Sequence, residues 1–216
     1  MSLKIKDLSK IILLIVPVLI TSCNKKETPK PVVPVVTADS ARKIDRRVAE
    51  EKIKSLLGSK SRLLEEGRFQ DDSTYGVAAG LEVNDKSAWG IKFFYFKKSN
   101  NDLIKSYETP LLKGSLTQSL IKKIKINPIG HEMLYYDSQD YFLGSGGGEI
   151  FSYIIDFNAP KVYYAHFFTV PKKPTSLFMS SDTDVKEIRE FFVRHFQKDY
   201  PELKIVSKDY DLEEIY

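Results

Sequence analysis

Residues 86–97, KSAWGIKFFYFK, carry apolar side chains on both faces of an extended chain. Trp89, Ile91, Phe93 and Tyr95 alternate on one face, and Ala88, Gly90, Phe94 and Phe96 fall on the other. A strand with one wet face alternates apolar with polar; one that is apolar on both sides has to be covered on both. The stretch therefore predicts a buried strand, and the chain must place material on each face of whatever sheet holds it. The 13 Phe and 12 Tyr fall mostly after residue 88 in short runs bounded by turn residues, which extends the β reading over that part of the chain.

The neighbours of this strand follow from turn chemistry. Residues 75–83 precede it, and Asn84-Asp85 supplies a tight turn, so the two form a hairpin. Residues 149–157 and 162–170 form a second hairpin through 158–161, with Phe151, Tyr153, Ile155 and Phe157 along one face, and 175–179 adds a third strand to it. Residues 131–136 read as a strand and 103–107 as a weaker one. Residues 116–126 fit a helix through Leu116, Leu120 and Ile124 and a strand through Ile124 and Ile126 equally.

Two helices bracket the strands. Residues 38–57 space Ile44, Val48, Ala49, Ile53, Leu56 and Leu57 at the helical period, with Thr37 as N-cap and Gly58 as stop. Before the second, Asp184 with Glu187 reads as a capping box, Val185, Ile188, Phe192 and Phe196 make the apolar stripe, and Pro201 forbids continuation. Residues 203–206 return as an edge strand before an acidic tail. The predicted class is α+β: a mainly antiparallel sheet with an N-terminal and a C-terminal helix packed on it.

The first 22 residues belong to no part of that fold. Lys4, Lys6 and Lys10 precede the apolar run 11–20, a charged segment followed by a hydrophobic one of signal-peptide length and too short to span a bilayer. The run ends Ile20-Thr21-Ser22-Cys23, and Cys23 is the single cysteine of the 216-residue chain. This leader resembles that of bacterial lipoproteins, whose lipobox reads aliphatic, small, small, Cys. The resemblance covers only the export signal. It implies cleavage before Cys23 and a diacylglyceryl group on its thiol, with the new amino terminus acylated as well. Two or more acyl chains hold a protein at a membrane where one does not, at about 0.8 kcal/mol per buried methylene. Asn24, rather than Asp, follows the cysteine, which by lipoprotein sorting rules resembles outer-membrane cargo.

Residues 23–37 then read as the lipidated cysteine plus a tether, because Pro29, Pro31 and Pro34 favour an extended polyproline chain. Residues 38–216 are the right length for one globular domain, with no disulfide available to staple it. The chain's net charge of +4 falls nearer neutral once the leader's lysines are removed, and the densest basic group, Lys122, Lys123 and Lys125, interleaves with isoleucines as a solvated face does. A nucleic-acid partner is not expected.

No catalytic constellation stands out. His131, His166 and His195 share no metal-ligand spacing, and His195 falls on the helix stripe and His166 on an apolar strand face, both structural positions. His131 sits at a loop edge, the most exposed context of the three. The glycine-rich run Gly144 to Glu149 has no following Lys-Ser or Lys-Thr, leads into a strand, and gives Ser145 no nucleophile-elbow frame. Asp209, Asp211, Glu213 and Glu214 lack a calcium-loop pattern, and Asp182 and Asp184 are accounted for by capping. The expectation is thus a non-enzymatic envelope lipoprotein whose domain binds another envelope protein or glycan, with Trp89, Tyr135, Tyr136 and Tyr141 as candidate contacts and no metal or cofactor. The alternatives are an envelope hydrolase in which His131, Glu132 and Glu149 converge near the glycine loop, and an inhibitor or immunity-type lipoprotein.

Overall fold

The computed structural model describes residues 44–70, 75–85, 88–99, 102–117, 119–140 and 147–206, without the side chains of 139 and 140. The expected lipid site at Cys23, the tether, Tyr141, residues 144–146 of the glycine run and the acidic tail lie outside them.

The first helix, α1 (Arg46–Leu57), is shorter than the 38–57 expected. Ile44 and Asp45 are not helical, and the cap is Asp45: its backbone is extended and its carboxylate accepts the N–H of Arg47 at 2.9 Å. Thr37 lies outside the described residues. The stop at Gly58 stands, with φ of 96° in the region that favours glycine and an N–H returned to the Lys54 carbonyl at 2.9 Å.

Two sheets follow where one was expected. Strands β1 (Arg62–Gly67), β2 (Gly76–Asn84), β3 (Trp89–Ser99) and β4 (Asp102–Glu108) make a four-stranded antiparallel meander in chain order. The turn between β2 and β3 is closed by Asp85, whose carboxylate accepts the Ala88 N–H at 2.8 Å. Strands β5 (Ser119–Lys125), β6 (Glu132–Asp140), β7 (Gly148–Asp156), β8 (Lys161–Thr169) and β9 (Ser176–Met179) form a second antiparallel series. The ambiguous segment 116–126 thus resolves as a strand over Ser119–Lys125, with Leu116 outside it. The chain then crosses through α2 (Lys186–Gln197) and returns as β10 (Lys204–Val206), parallel to β9 at the sheet edge. A parallel return requires a long crossover, and the helix is that crossover. The edge strand expected at 203–206 is thus present as β10, after α2.

Burial explains the arrangement. Ile91, Phe93 and Tyr95 from β3 meet Leu134, Tyr136, Phe151, Tyr153 and Ile155 from the six-stranded sheet, and Phe157 just beyond β7, in one cluster between the sheets. Phe94 and Phe96, on the other face of β3, pack with Ala49 and Ile53 of α1. Met133, Tyr135, Ile154, Ala165 and Phe167 face Ile188, Phe192 and Phe196 of α2. The layers therefore run helix, four-stranded sheet, six-stranded sheet, helix, and β3, β6 and β7 each feed two cores.

The expected capping box before α2 does not form. Val185 occupies the N-cap with no side-chain bond, while the Asp184 carboxylate takes the Lys161 ammonium at 2.8 Å. That contact holds the Asp184 carboxyl below its ordinary range and the Lys161 ammonium above its own.

The sheets are joined edge to edge where β1 approaches β5. Glu132 Oε2 accepts the Arg68 N–H at 2.7 Å, and Lys123 Nζ lies 3.5 Å from the other carboxylate oxygen. A Cβ on Gly67 would run into the ends of the Glu132 and Lys123 side chains, so a larger residue there would have to displace this pair.

Candidate functional site

The strands place each histidine against a carboxylate, and all three pairs involve the six-stranded sheet. His131, at the entry to β6, lies with Nε2 2.9 Å from Asp156 Oδ1. The same oxygen accepts the N–H groups of Asn158 at 2.8 Å and Ala159 at 3.1 Å, so Asp156 organises the β7–β8 turn and His131 pins it. His166 Nε2 on β8 lies 2.9 Å from Glu149 Oε2 on β7, its ring stacked on Phe151 at 4.9 Å and 9°. His195 on α2 reaches down to Asp137 on β6, Nε2 to Oδ2 3.0 Å. With 28% of its side chain exposed, His195 rather than His131, at 17%, is the most open of the three.

The Asp137 pair is the richest cluster. Ser152 donates its hydroxyl to Asp137 Oδ1, and the Tyr135 ring meets the His195 ring edge-on at 5.2 Å. Burial, reinforced by Asp137, pushes the Tyr135 hydroxyl far above its ordinary range. Serine, aspartate and histidine thus meet, but in an order that cannot activate a nucleophile. In a catalytic triad the imidazole stands between serine and carboxylate and takes the serine proton. Here the carboxylate stands between them, and Ser152 is fully buried. The arrangement fastens α2 to the sheet.

The convergence expected of a hydrolase does not occur. Glu132 opens β6, whereas Glu149 pairs with Asp140 at the other end of that strand. Eight residues of strand separate the two ends, about 27 Å at the usual rise. Glu132 is held at the sheet seam, Glu149 by His166 and His131 by Asp156. Among the described residues no group of three or more histidines, cysteines or carboxylates is placed to hold a metal ion, and no helix is long and apolar enough to cross a membrane.

The candidate contact residues divide. Trp89 stands 52% exposed at the start of β3, whereas Tyr135 and Tyr136 are fully buried and are core residues rather than contacts. A second open apolar feature lies along α1, where Val48 and Leu56 are about half exposed. Val48 lines a cavity of about 250 Å³ with Ile44, Lys52, Lys98 and Leu103, between α1 and the β3–β4 hairpin. Sequence reasoning missed Asp137 and Asp156. The available signal was a carboxylate set inside an otherwise apolar strand run, which demands a buried partner.

These features define a four-layer α+β domain with ionisable pairs used as internal fasteners. No family model, curated protein or solved structure matches the chain.

Proposed function

We propose that the chain is an exported lipoprotein, anchored through Cys23 to the bacterial envelope with the outer membrane as its site, whose domain binds another envelope protein or glycan without transforming it. The carrying observation is that each of the three histidines is already bonded to a carboxylate at a turn, a strand pair or a helix. The groups best suited to acid–base work near neutral pH are spent on holding the fold. The leader and the Pro-rich tether support the anchoring half of the reading. The half-exposed Trp89 supports the binding half, since tryptophan is enriched among residues that dominate interface energies. An inhibitor or immunity role differs from this reading only in the identity of the partner.

Each half has its own test in the native envelope. Mass spectrometry of the mature chain should find a diacylglyceryl-modified Cys23 as its first residue, and Cys23→Ala should shift the protein to the soluble fraction. A mature chain with a free thiol removes the anchor. A photoreactive residue at position 89 should give one saturable crosslinked adduct, and random low-level adducts would remove the binding surface.

A further inference from the structure

Where α1 ends and β1 begins, the chain folds around a cavity of about 410 Å³ lined by Lys54, Ser59, Lys60, Arg62, Glu82 and Asn84, among others. Among the described residues, no hydrogen bond or ion pair engages the side chains of Lys54, Lys60 or Arg62. Some cations on the described surface are matched, Lys52 with Asp102 at 2.9 Å, Lys92 and Lys105 with Glu108 at 2.6 and 3.0 Å, Lys161 with Asp184 at 2.8 Å, and others such as Arg47, Lys172 and Lys198 are not; what sets this group apart is that three unmatched cations line one cavity. The one carboxylate at the cavity, Glu82, accepts the backbone N–H of Leu116. A structural role as counter-charge to the α1 C-terminus is too small to account for the group. The helix end carries about half a negative charge, against three whole cations.

We propose that this cavity binds the phosphate group of an organic phosphate. Three cations less the Glu82 carboxylate leave two net positive charges at the cavity, which match a phosphate monoester carrying about −1.5 to −2 near neutral pH. Arg62 adds a planar donor fork suited to phosphate oxygens, and Ser59 and Asn84 add neutral donors. The volume leaves room for the carbon body the phosphate is attached to. A lipid headgroup and a free small phosphate ester present the same chemistry. This inference stands on the cavity and its unpaired cations, and is independent of Cys23 acylation and of Trp89.

The test uses the mature chain from residue 23 onward carrying Cys23→Ala, so that neither acylation nor the basic, apolar leader holds it on a membrane. Glycerol 3-phosphate is titrated calorimetrically at low salt, and vesicles of phosphatidylcholine with and without phosphatidic acid are co-sedimented. Saturable binding is expected in one of the two assays. Lys60→Ala and Arg62→Ala should each weaken it about tenfold, a change of about 1.4 kcal/mol, with Arg62→Lys recovering part of the loss. Lys186→Ala, an exposed cation on α2, should leave it unchanged. Binding of the soluble ester identifies a free phosphate as the source, and binding of the phosphatidic acid vesicles alone identifies a headgroup. The proposal is overturned by no saturable binding in either assay, by an equal loss in Lys186→Ala, or by equal binding of acetate. Thermal unfolding of each variant separates loss of binding from loss of fold.

Discussion

Asp137 concentrates several demands on one side chain. It is 4% exposed, it accepts from Ser152 and pairs with His195, and it sits on a strand whose neighbours Tyr135 and Tyr136 are fully buried. Removing an acceptor that serves two groups costs more than removing one of its partners, because the buried Ser152 hydroxyl and the part-exposed His195 ring both lose their partner at once. Asp137→Ala should therefore destabilise the domain by about 3 kcal/mol or more, and His195→Ala, whose side chain is part exposed, by roughly half that. Urea unfolding of the two variants checks the order, and equal costs would show that the carboxylate is not the organising group. At this scale the sequence was readable only in part. The burial of His166 and the inward direction of His195 followed from their positions on apolar faces. Their carboxylate partners did not, because Asp137 and Glu149 come into reach only through strand register, which the period of a single strand does not specify.

Among the elements, those whose ends carry local chemistry were legible. The Asn84-Asp85 turn and the Gly58 stop follow from residues that act on their own backbone, and both appear where expected. The start of α1 was misplaced because Ile44 continues the helical spacing past the real cap. A carboxylate at Asp45 outcompetes a longer helix by satisfying the Arg47 N–H. Strand β1 was missed altogether: RLLEEG neither alternates nor carries β-branched residues, and its strand form depends on pairing with β2. The helix ends give a test. Gly58→Ala should cost about 1 kcal/mol or more, since alanine is strained at φ of 96° although the space beside it is open. Asp45→Ala should cost a similar amount through loss of the cap. Thermal melts in which Gly58→Ala is neutral would mean that the backbone there relaxes to another conformation.

For the molecule as a whole, the doubly apolar strand 86–97 predicted cover on both faces and was right in that. What it left open was the identity of the cover. A second sheet and a helix satisfy the same pattern, and only the pairing of residues distant in sequence decides between them. The resulting burial of tyrosines sets the alkaline limit of the fold. Burial is the first cause raising the hydroxyls of Tyr75, Tyr107, Tyr135, Tyr153 and Tyr163 above their ordinary value. In the unfolded chain these groups ionise near pH 10, about where free tyrosine does, while the folded domain keeps them protonated. The unfolded state thus binds fewer protons above that pH, and stability present below it is lost as pH rises. Phenolate absorbance followed together with circular dichroism should show part of the tyrosine signal appearing only as secondary structure is lost. Complete ionisation ahead of unfolding would contradict the burial of these rings.

Each sheet is also built from one unbroken piece of chain, the four-stranded one from residues 62–108 and the six-stranded one from 119–206. A polypeptide delivered amino end first through a narrow pore completes the first sheet before the second has emerged. Ile91, Phe93 and Tyr95 then face water on a finished but uncovered surface until Phe157, some fifty residues further on, has arrived. During that interval the bare inner face of the first sheet is an exposed apolar surface, a defined target for any chaperone that meets the chain as it emerges.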